Sequence, residues 1–268
     1  MTRSHHAFVV PAYGQSPHLR ECLESLRKQT RPSPVVICTS TPYEGLQALA
    51  EEFDARLVVH GPNAGIGRDW NYALGEARSD WVTLAHQDDI YLPEFAQASM
   101  DAAQRRRDAS LVLTGYDELL ADQVRSGTLM LGIKRLLLEL GFLGRAAIAT
   151  RGAKRRLLRL GCPVPCPAVT LRLPITTPFF REDLKVNLDW DAWLRMACLP
   201  GEFAYVRTKL MLHRIHSGSE TSDAIEAGVR ATEDLMVFRA LWPEPVARLL
   251  ARLYAVSYEK GAEPWTTS

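Results

Sequence analysis

Short apolar runs alternate with amphipathic stretches through the first part of the chain. Residues 7–10 (AFVV) form an apolar run cut off by Pro11-Ala12-Tyr13-Gly14. Residues 17–29 follow, with Leu19, Cys22, Leu23 and Leu26 at helical spacing, so one face is apolar and the other charged. The alternation repeats: 34–38 reads as a strand, 44–53 as a helix, 56–60 as a strand, 67–77 as a helix and 80–85 as a strand. A helix over 93–107 and a fifth strand over 110–115 continue it. Such a succession predicts an α/β protein, with a Rossmann-like, mostly parallel sheet, right-handed crossovers and helices on both faces. The strand ends at Pro11, Thr39, His60 and His86 then gather on one rim, where sheets of this kind bind ligands.

Between residues 123 and 161 the alternation stops. Leu129, Leu131, Ile133, Leu136, Leu138 and Leu140 are interleaved with Lys134 and Arg135, and a basic block, Arg151 to Arg159, follows. This stretch reads as a helical basic insertion. After the proline-rich link 162–167, strand patterns return at 169–173 and 175–180, then a helix at 188–198 and closing strands at 203–206 and 209–214. The remainder reads as two helices, 224–241 and 243–259.

With 47% hydrophobic and 24% charged residues, the 268-residue chain has the composition of a globular protein with ample core. A net charge of +1 gives no electrostatic basis for nucleic-acid binding. The charge is uneven: residues 125–161 hold nine Lys/Arg against one acid, Glu139. Five cysteines, odd in number and scattered, suit reduced thiols better than a zinc site. The N-terminal stretch lacks a signal-peptide core, and no window approaches the roughly 18 apolar residues of a membrane span. A cytoplasmic location is expected, with peripheral contact at the inner face of the membrane through 129–160.

The chemistry is concentrated in Trp81–Pro93, an apolar strand that ends abruptly in His86-Gln87-Asp88-Asp89. Adjacent carboxylates repel each other, so a cation is their natural third party, and oxygen ligands favour Mg²⁺ or Mn²⁺. A solvated acidic turn before a helix is the plain alternative.

Four local patterns in chain order give the sequence a wider context. They are Val9-Val10-Pro11-Ala12-Tyr13, Asn63-x-Gly65 with Asn71, the acidic run at 86–89, and Asp189-Trp190-Asp191-Ala192-Trp193-Leu194-Arg195 followed by Arg214-x-His216-x-x-Ser219. Together they resemble the family-2 glycosyltransferases of GT-A fold. The resemblance implies a GT-A domain over 1–222, with a nucleotide-binding half (1–115), the basic amphipathic insertion (123–161) and an acceptor half (162–222). A helical C-terminal segment, 223–268, follows. It further implies a nucleotide-sugar donor, a glycan or lipid-linked acceptor, and a divalent cation, Mn²⁺ or Mg²⁺. Donor contacts fall to Pro11, Ala12, Tyr13, Thr39, Asn63, Arg68, Asn71, His86, Gln87 and Asp88, and the metal to Asp88 and His216. Three departures stand out. Thr39-Ser40-Thr41 replaces the family's Asp after the second strand, His86 replaces the first acid of its D-x-D motif, and Leu188 replaces the Glu before its catalytic Asp.

In an inverting transfer one carboxylate removes the acceptor proton while oxygen attacks the far face of the sugar. Asp189 and Asp191, two apart on a helix, point about 200° apart. Asp191 sits four before Arg195, the spacing of a surface ion pair, which leaves Asp189 as the expected base; a helix N-cap would ask for the same residue type. His216 fits a metal ligand or a structural histidine. Arg68 fits a phosphate contact at a helix start or a solvent-facing charge. Trp190, Trp193, Arg155 and Arg156 are candidates for the acceptor side, although core packing explains the tryptophans equally well. The insertion fits an interfacial helix, an acceptor-side lid or a homodimer contact. Two other functions stay open: a nucleotidyltransferase, against which stands the lack of Lys or Arg between Pro11 and Arg20, and a silent nucleotide-sugar-binding scaffold.

Overall fold

The computed structural model describes residues 4–174, 179–216 and 228–261. Its strands are β1 (Ser4–Ala12), β2 (Val35–Thr39), β3 (Arg56–Val59), β4 (Ser79–Leu84), β5 (Ile90–Tyr91), β6 (Ala109–Leu120), β7 (Gln123–Arg125), β8 (Ala147–Ile148), β9 (Val169–Arg172) and β10 (Glu202–Arg214). Its helices are α1 (Leu19–Arg27), α2 (Leu46–Glu52), α3 (Ile66–Gly75), α4 (Phe95–Arg105), α5 (Leu129–Phe142), α6 (Arg151–Leu158), α7 (Leu188–Met196), α8 (Val229–Leu241) and α9 (Glu244–Gly261). One sheet runs β3-β2-β1-β4-β9-β6-β10-β5, with β7 on β6 and β8 on β10. The first four positions are mutually parallel. β9 runs antiparallel between β4 and β6, and β10 is parallel to β6.

Central strands read as unbroken apolar runs because both their faces are covered. β4 and β6 are buried along nearly their whole length, whereas the edge strand β3 is half exposed. α1 turns Leu19, Cys22, Leu23 and Leu26 into the core, following the predicted periodicity. The two predicted closing strands are one, β10, kinked by register shifts between Val206 and Met211. Its bulge presses the backbone of Arg207 and Thr208 against Gly115, where a Cβ would lie 2.7 Å from a carbonyl oxygen. Of the predicted strand 175–180, residues 175–178 lie outside the described ones, and Phe179 and Phe180 are in a loop. The insertion is helical in α5 and α6, but β7 at its start and β8 between the two helices tie it to the sheet. The C-terminal helices join the main core through Val237, Phe238 and Ala247.

This topology brings the carboxyl ends of β1, β2, β3, β4, β6 and β10 to one rim. β9, running the other way, begins there, so Cys166–Ala168 just before it lie at the same edge.

Candidate active site

The acidic run leaves β4 at the rim, and each member has a different task. Gln87 clamps the end of β1: Oε1 accepts the Tyr13 N–H at 3.1 Å and Nε2 faces the Tyr13 carbonyl at 3.3 Å. The Tyr13 ring is left exposed, with Pro11 and Ala12 behind it. Asp89 is fully buried. Its Oδ1 accepts the backbone N–H of Arg214 at 2.8 Å and lies 3.0 Å from His213 Nδ1. Burial opposes charge on His213, but the Asp89 carboxylate more than offsets it and raises the imidazole above its ordinary value. The buried Arg214 side chain donates from Nε to the Asp88 carbonyl at 2.9 Å and pairs with Glu21 and Asp122. Asp89 and Arg214 thus latch the last strand to the β4 loop.

That latch leaves Asp88 facing outward. His216 Nε2 lies 2.9 Å from Asp88 Oδ2. Donor atoms on adjacent corners of an octahedron with ligand bonds of about 2.1 Å stand about 3 Å apart, so the pair can hold a proton or share a cation without rearrangement. Burial works to raise the Asp88 carboxyl, but His86 opposite and the hydrogen bond from His216 bring it below its ordinary value. His86 is held down by burial, which keeps it as the neutral imidazole that ligates metals. His86, Asp88 and Asp89 each present a ligand atom within 4.8 Å of the others. His86 Nε2 and Asp89 Oδ2 are buried with no hydrogen-bond partner among the described residues. Carboxylate oxygens with imidazole nitrogen make a donor set that fits a divalent cation.

Asp189 stands in the first turn of α7. Its Oδ1 accepts the Trp190 N–H at 2.7 Å. Burial pushes the carboxyl up to about 6, against the pull of the Trp190 amide, Arg230, Lys134 and the Cys166 amide. The cap of this helix comes from elsewhere. Glu233 on α8 accepts the amides of Lys185, Val186 and Asn187 at 2.8–3.0 Å, and Asn187 Nδ2 donates to Asp234 Oδ1. Asp191 makes the ion pair expected of it, 2.7 Å from Arg195 Nε. Burial first, then the charges of Asp189, Cys162 and Asp89, push the buried Cys166 thiol upward, so Asp189 and Asp89 both lie within electrostatic reach of it. Lys134 on α5 lies within electrostatic reach of both Asp189 and His213.

Other expected contacts are spent inside the protein. The Asn71 amide donates to the Phe180 carbonyl at 2.8 Å, and its oxygen accepts the N–H groups of Phe179 and Phe180. It staples α3 to the loop that leads into α7 and does not face a nucleoside. Gly67, one turn earlier, lets that loop come close, since a Cβ there would sit 2.6 Å from the Arg181 carbonyl oxygen. Asn71→Ala leaves several buried backbone groups unpaired, so it is expected to destabilise the fold by roughly 2–4 kcal/mol in a denaturant titration; a change under about 0.5 kcal/mol would deny the staple. The Thr39 hydroxyl accepts the Thr41 N–H at 3.0 Å, so this buried side chain shapes the turn and is not presented to a base. Asn63 closes its loop on the Gly65 N–H, and Arg68 is exposed on the first turn of α3.

On the acceptor side the corrections are plain. Trp190 and Trp193 are fully buried, with their indole N–H groups on the carbonyls of Leu158 and Val164, so they are core and not a wall. Arg155 and Arg156 donate to the carbonyls of Ala240 and Gly141, where they join α6 to α8 and α5. Periodicity did not mark His18, whose ring centre lies 5.3 Å from that of His216, nor His213, Lys134 or Glu233. His213 and His216, one residue before and two after Arg214, were the one available signal.

This arrangement can be set beside known proteins. The model of the family described as "Glycosyl transferase family 2" matches residues 7–154, more than half of the chain. A stretch of 115 residues is 29% identical to the glycosyltransferase EpsH of Bacillus subtilis, covering 41% of this chain and 33% of EpsH, so the chain spans about a third of that relative's length. Among solved structures, residues 1–349 of TarS from S. aureus in complex with UDP-GlcNAc superpose with a TM-score of 0.63 at 16% identity, over 98% of this chain and 76% of that one. The mannosyltransferase PcManGT of Pyrobaculum calidifontis, in complex with GDP-Man and Mn²⁺, gives 0.61 at 12% identity, over 98% and 77%. At such identities the likeness speaks for the fold, which is GT-A. With its opening strands, its acidic run and most of its insertion inside the matched span, the chain belongs to glycosyl transferase family 2.

Proposed function

We propose that the chain is an inverting, metal-assisted glycosyltransferase that moves a sugar from a nucleotide-sugar donor to a hydroxyl of a glycan or lipid-linked acceptor, in the building of a cell-surface polysaccharide. What supports this reading is the Asp88–His216 pair at the end of β4 together with the partly buried Asp189 carboxyl, which accepts the amide of Cys166 at the same sheet edge and is raised to about 6. Asp88 and His216, with His86 beside them, would hold the cation. A divalent cation in that position stabilises the negative charge that develops on the departing diphosphate.

The backbone of Pro11-Ala12-Tyr13 and the exposed Tyr13 ring form the near wall of the donor site, while Asn63 and Arg68 border it from the α3 side. Asp189 removes the acceptor proton. Held near 6 by burial, it is charged at neutral pH yet basic enough to accept a proton in the transition state. The five cysteines are free thiols, which suits the reducing cytoplasm as the place of reaction.

The donor site is tested by thermal unfolding with UDP-, GDP-, dTDP- and CDP-sugars in the presence of Mn²⁺. A donor at about a hundred times its Kd stabilises by about 2.7 kcal/mol, a shift of several degrees for a domain of this size. At least one donor is expected to give it. No shift with any of them would overturn the reading.

A further inference from the structure

Helix α5 is apolar on the wrong side. Its buried face holds Leu131, Leu138 and Phe142. Its outer face carries Leu129 (82% exposed), Ile133 (43%), Leu136 (59%), Leu140 (50%) and, at the C-cap, Leu143 (57%). The spacing of 4, 3, 4 and 3 residues sets these five on one stripe. A surface helix ordinarily turns charges to water there. The charges that α5 does possess are turned aside: Arg135 pairs with Asp117, Lys134 lies near the Tyr116 ring, and Glu139 is held by Arg207 through two bonds of 2.8 and 2.9 Å. No unpaired acid therefore interrupts the stripe.

The surroundings are basic. α6 packs against α5, with Leu157 at Gly141, and carries Arg151, Arg156 and Arg159 in exposed positions; Arg145 is exposed in the link between the helices. Across α6 the surface continues to the C-terminal helices. The Trp242 indole donates to the Arg159 carbonyl, and the Arg159 guanidinium lies 3.9 Å over that ring. Leu160 and, on α9, Leu249 and Leu253 are again exposed. An apolar helix stripe thus lies next to a helix that carries exposed arginines.

We infer that this face is a membrane-docking surface that seats the α5 stripe among the acyl chains of an anionic lipid bilayer, with the α6 arginines at the headgroups. Charge decides for lipid over a second copy of the chain. A two-fold contact uses the same patch on both copies and would set one basic face against another, whereas anionic headgroups neutralise the arginines. An interfacial helix with a basic flank is held by both terms together. No described helix is long and apolar enough to cross a membrane, so this contact lies in the plane of the interface. It requires neither donor nor acceptor, and it stands or falls apart from the catalytic reading.

The experiment is cosedimentation of the full chain with phosphatidylglycerol vesicles and with phosphatidylcholine vesicles. Binding is expected to the anionic vesicles, at least about tenfold tighter than to the zwitterionic ones, and weaker as salt rises from about 0.1 M to about 0.5 M. The double variant Leu136→Glu/Leu140→Glu, at exposed positions, is expected to lose about a hundredfold in vesicle affinity with its circular dichroism and Tm unchanged. Should that variant fold poorly, Arg145→Glu/Arg151→Glu changes only exposed charges and is expected to abolish the preference for phosphatidylglycerol. Equal binding to both lipids, or undiminished binding by a folded variant, would overturn the inference. So would a wild-type dimer in solution that the leucine variant dissociates without any change in vesicle binding.

Discussion

Asp189→Asn is expected to lower the rate of sugar transfer by about 10²–10⁴-fold, the usual worth of a positioned general base, while donor-induced thermal stabilisation is retained. The substitution is close to isosteric, and the amide oxygen can still accept the Trp190 N–H that Asp189 Oδ1 now accepts. The start of α7 also keeps its cap, because Glu233 and Asp234 supply it from α8. Loss of activity would then reflect loss of the base and not collapse of the helix. The wild type carries a pH signature as well. Burial raises the Asp189 carboxyl to about 6, and the group works only when deprotonated. Transfer should therefore be constant near neutral pH and fall tenfold per pH unit well below about 6. Single-turnover rates of nucleotide-diphosphate release at saturating donor, measured against pH, would check both statements. A variant within about fivefold of wild type would remove Asp189 from the role, as would a wild-type acid limb set near the ordinary carboxylate value, about 4.

The second large effect concerns the cation. Asp88→Ala should abolish donor stabilisation that depends on Mn²⁺ and cost several kcal/mol of leaving-group stabilisation, about 10³-fold in kcat/KM. The fold should survive, because the latch between β4 and β10 runs through the Asp88 carbonyl and the Asp89 carboxylate, not through the Asp88 side chain. His216→Ala is expected to weaken Mn²⁺ binding less, by about 10–100-fold, since Asp88 and His86 remain. Titration of Mn²⁺ into the donor complex by calorimetry separates the two variants. Metal binding unchanged in Asp88→Ala would dismiss the assignment. The contrast between neighbours is itself informative: Asp89→Ala should unfold the rim, because it strips partners from His213 and the Arg214 amide at a fully buried position.

How much of this was legible beforehand follows from the range over which each cause acts. The alternation of apolar runs and amphipathic stretches depends on residues a few positions apart, so the β1–α1–β2–α2–β3–α3–β4 succession could be read from the chain. The ion pair of Asp191 with Arg195 is equally local, four residues on one helix. Antiparallel β9 could not be read the same way. Its residues are apolar and of strand type in either direction, and only pairing with Thr83 and Val112 on its two sides sets the direction. Asn71, Thr39, Trp190 and Trp193 fit a substrate role by residue type, but their partners lie in other elements. Only coordinates reveal that the Asn71 amide is spent on Phe179 and Phe180, more than 100 residues away.

The linear order of residues by itself determined the α/β class, the rim on which chemistry would gather, and the acidic run that marks it, because hydrophobic period and strand-end position are properties of short segments. Folding decided everything that needs two distant groups to meet. It paired Asp88 with His216, used up side chains that residue type had offered to the donor, and lifted Asp189 through the burial that distant segments impose. It also left the leucines of α5 facing outward, for a helix's two faces are told apart only by what packs against one of them.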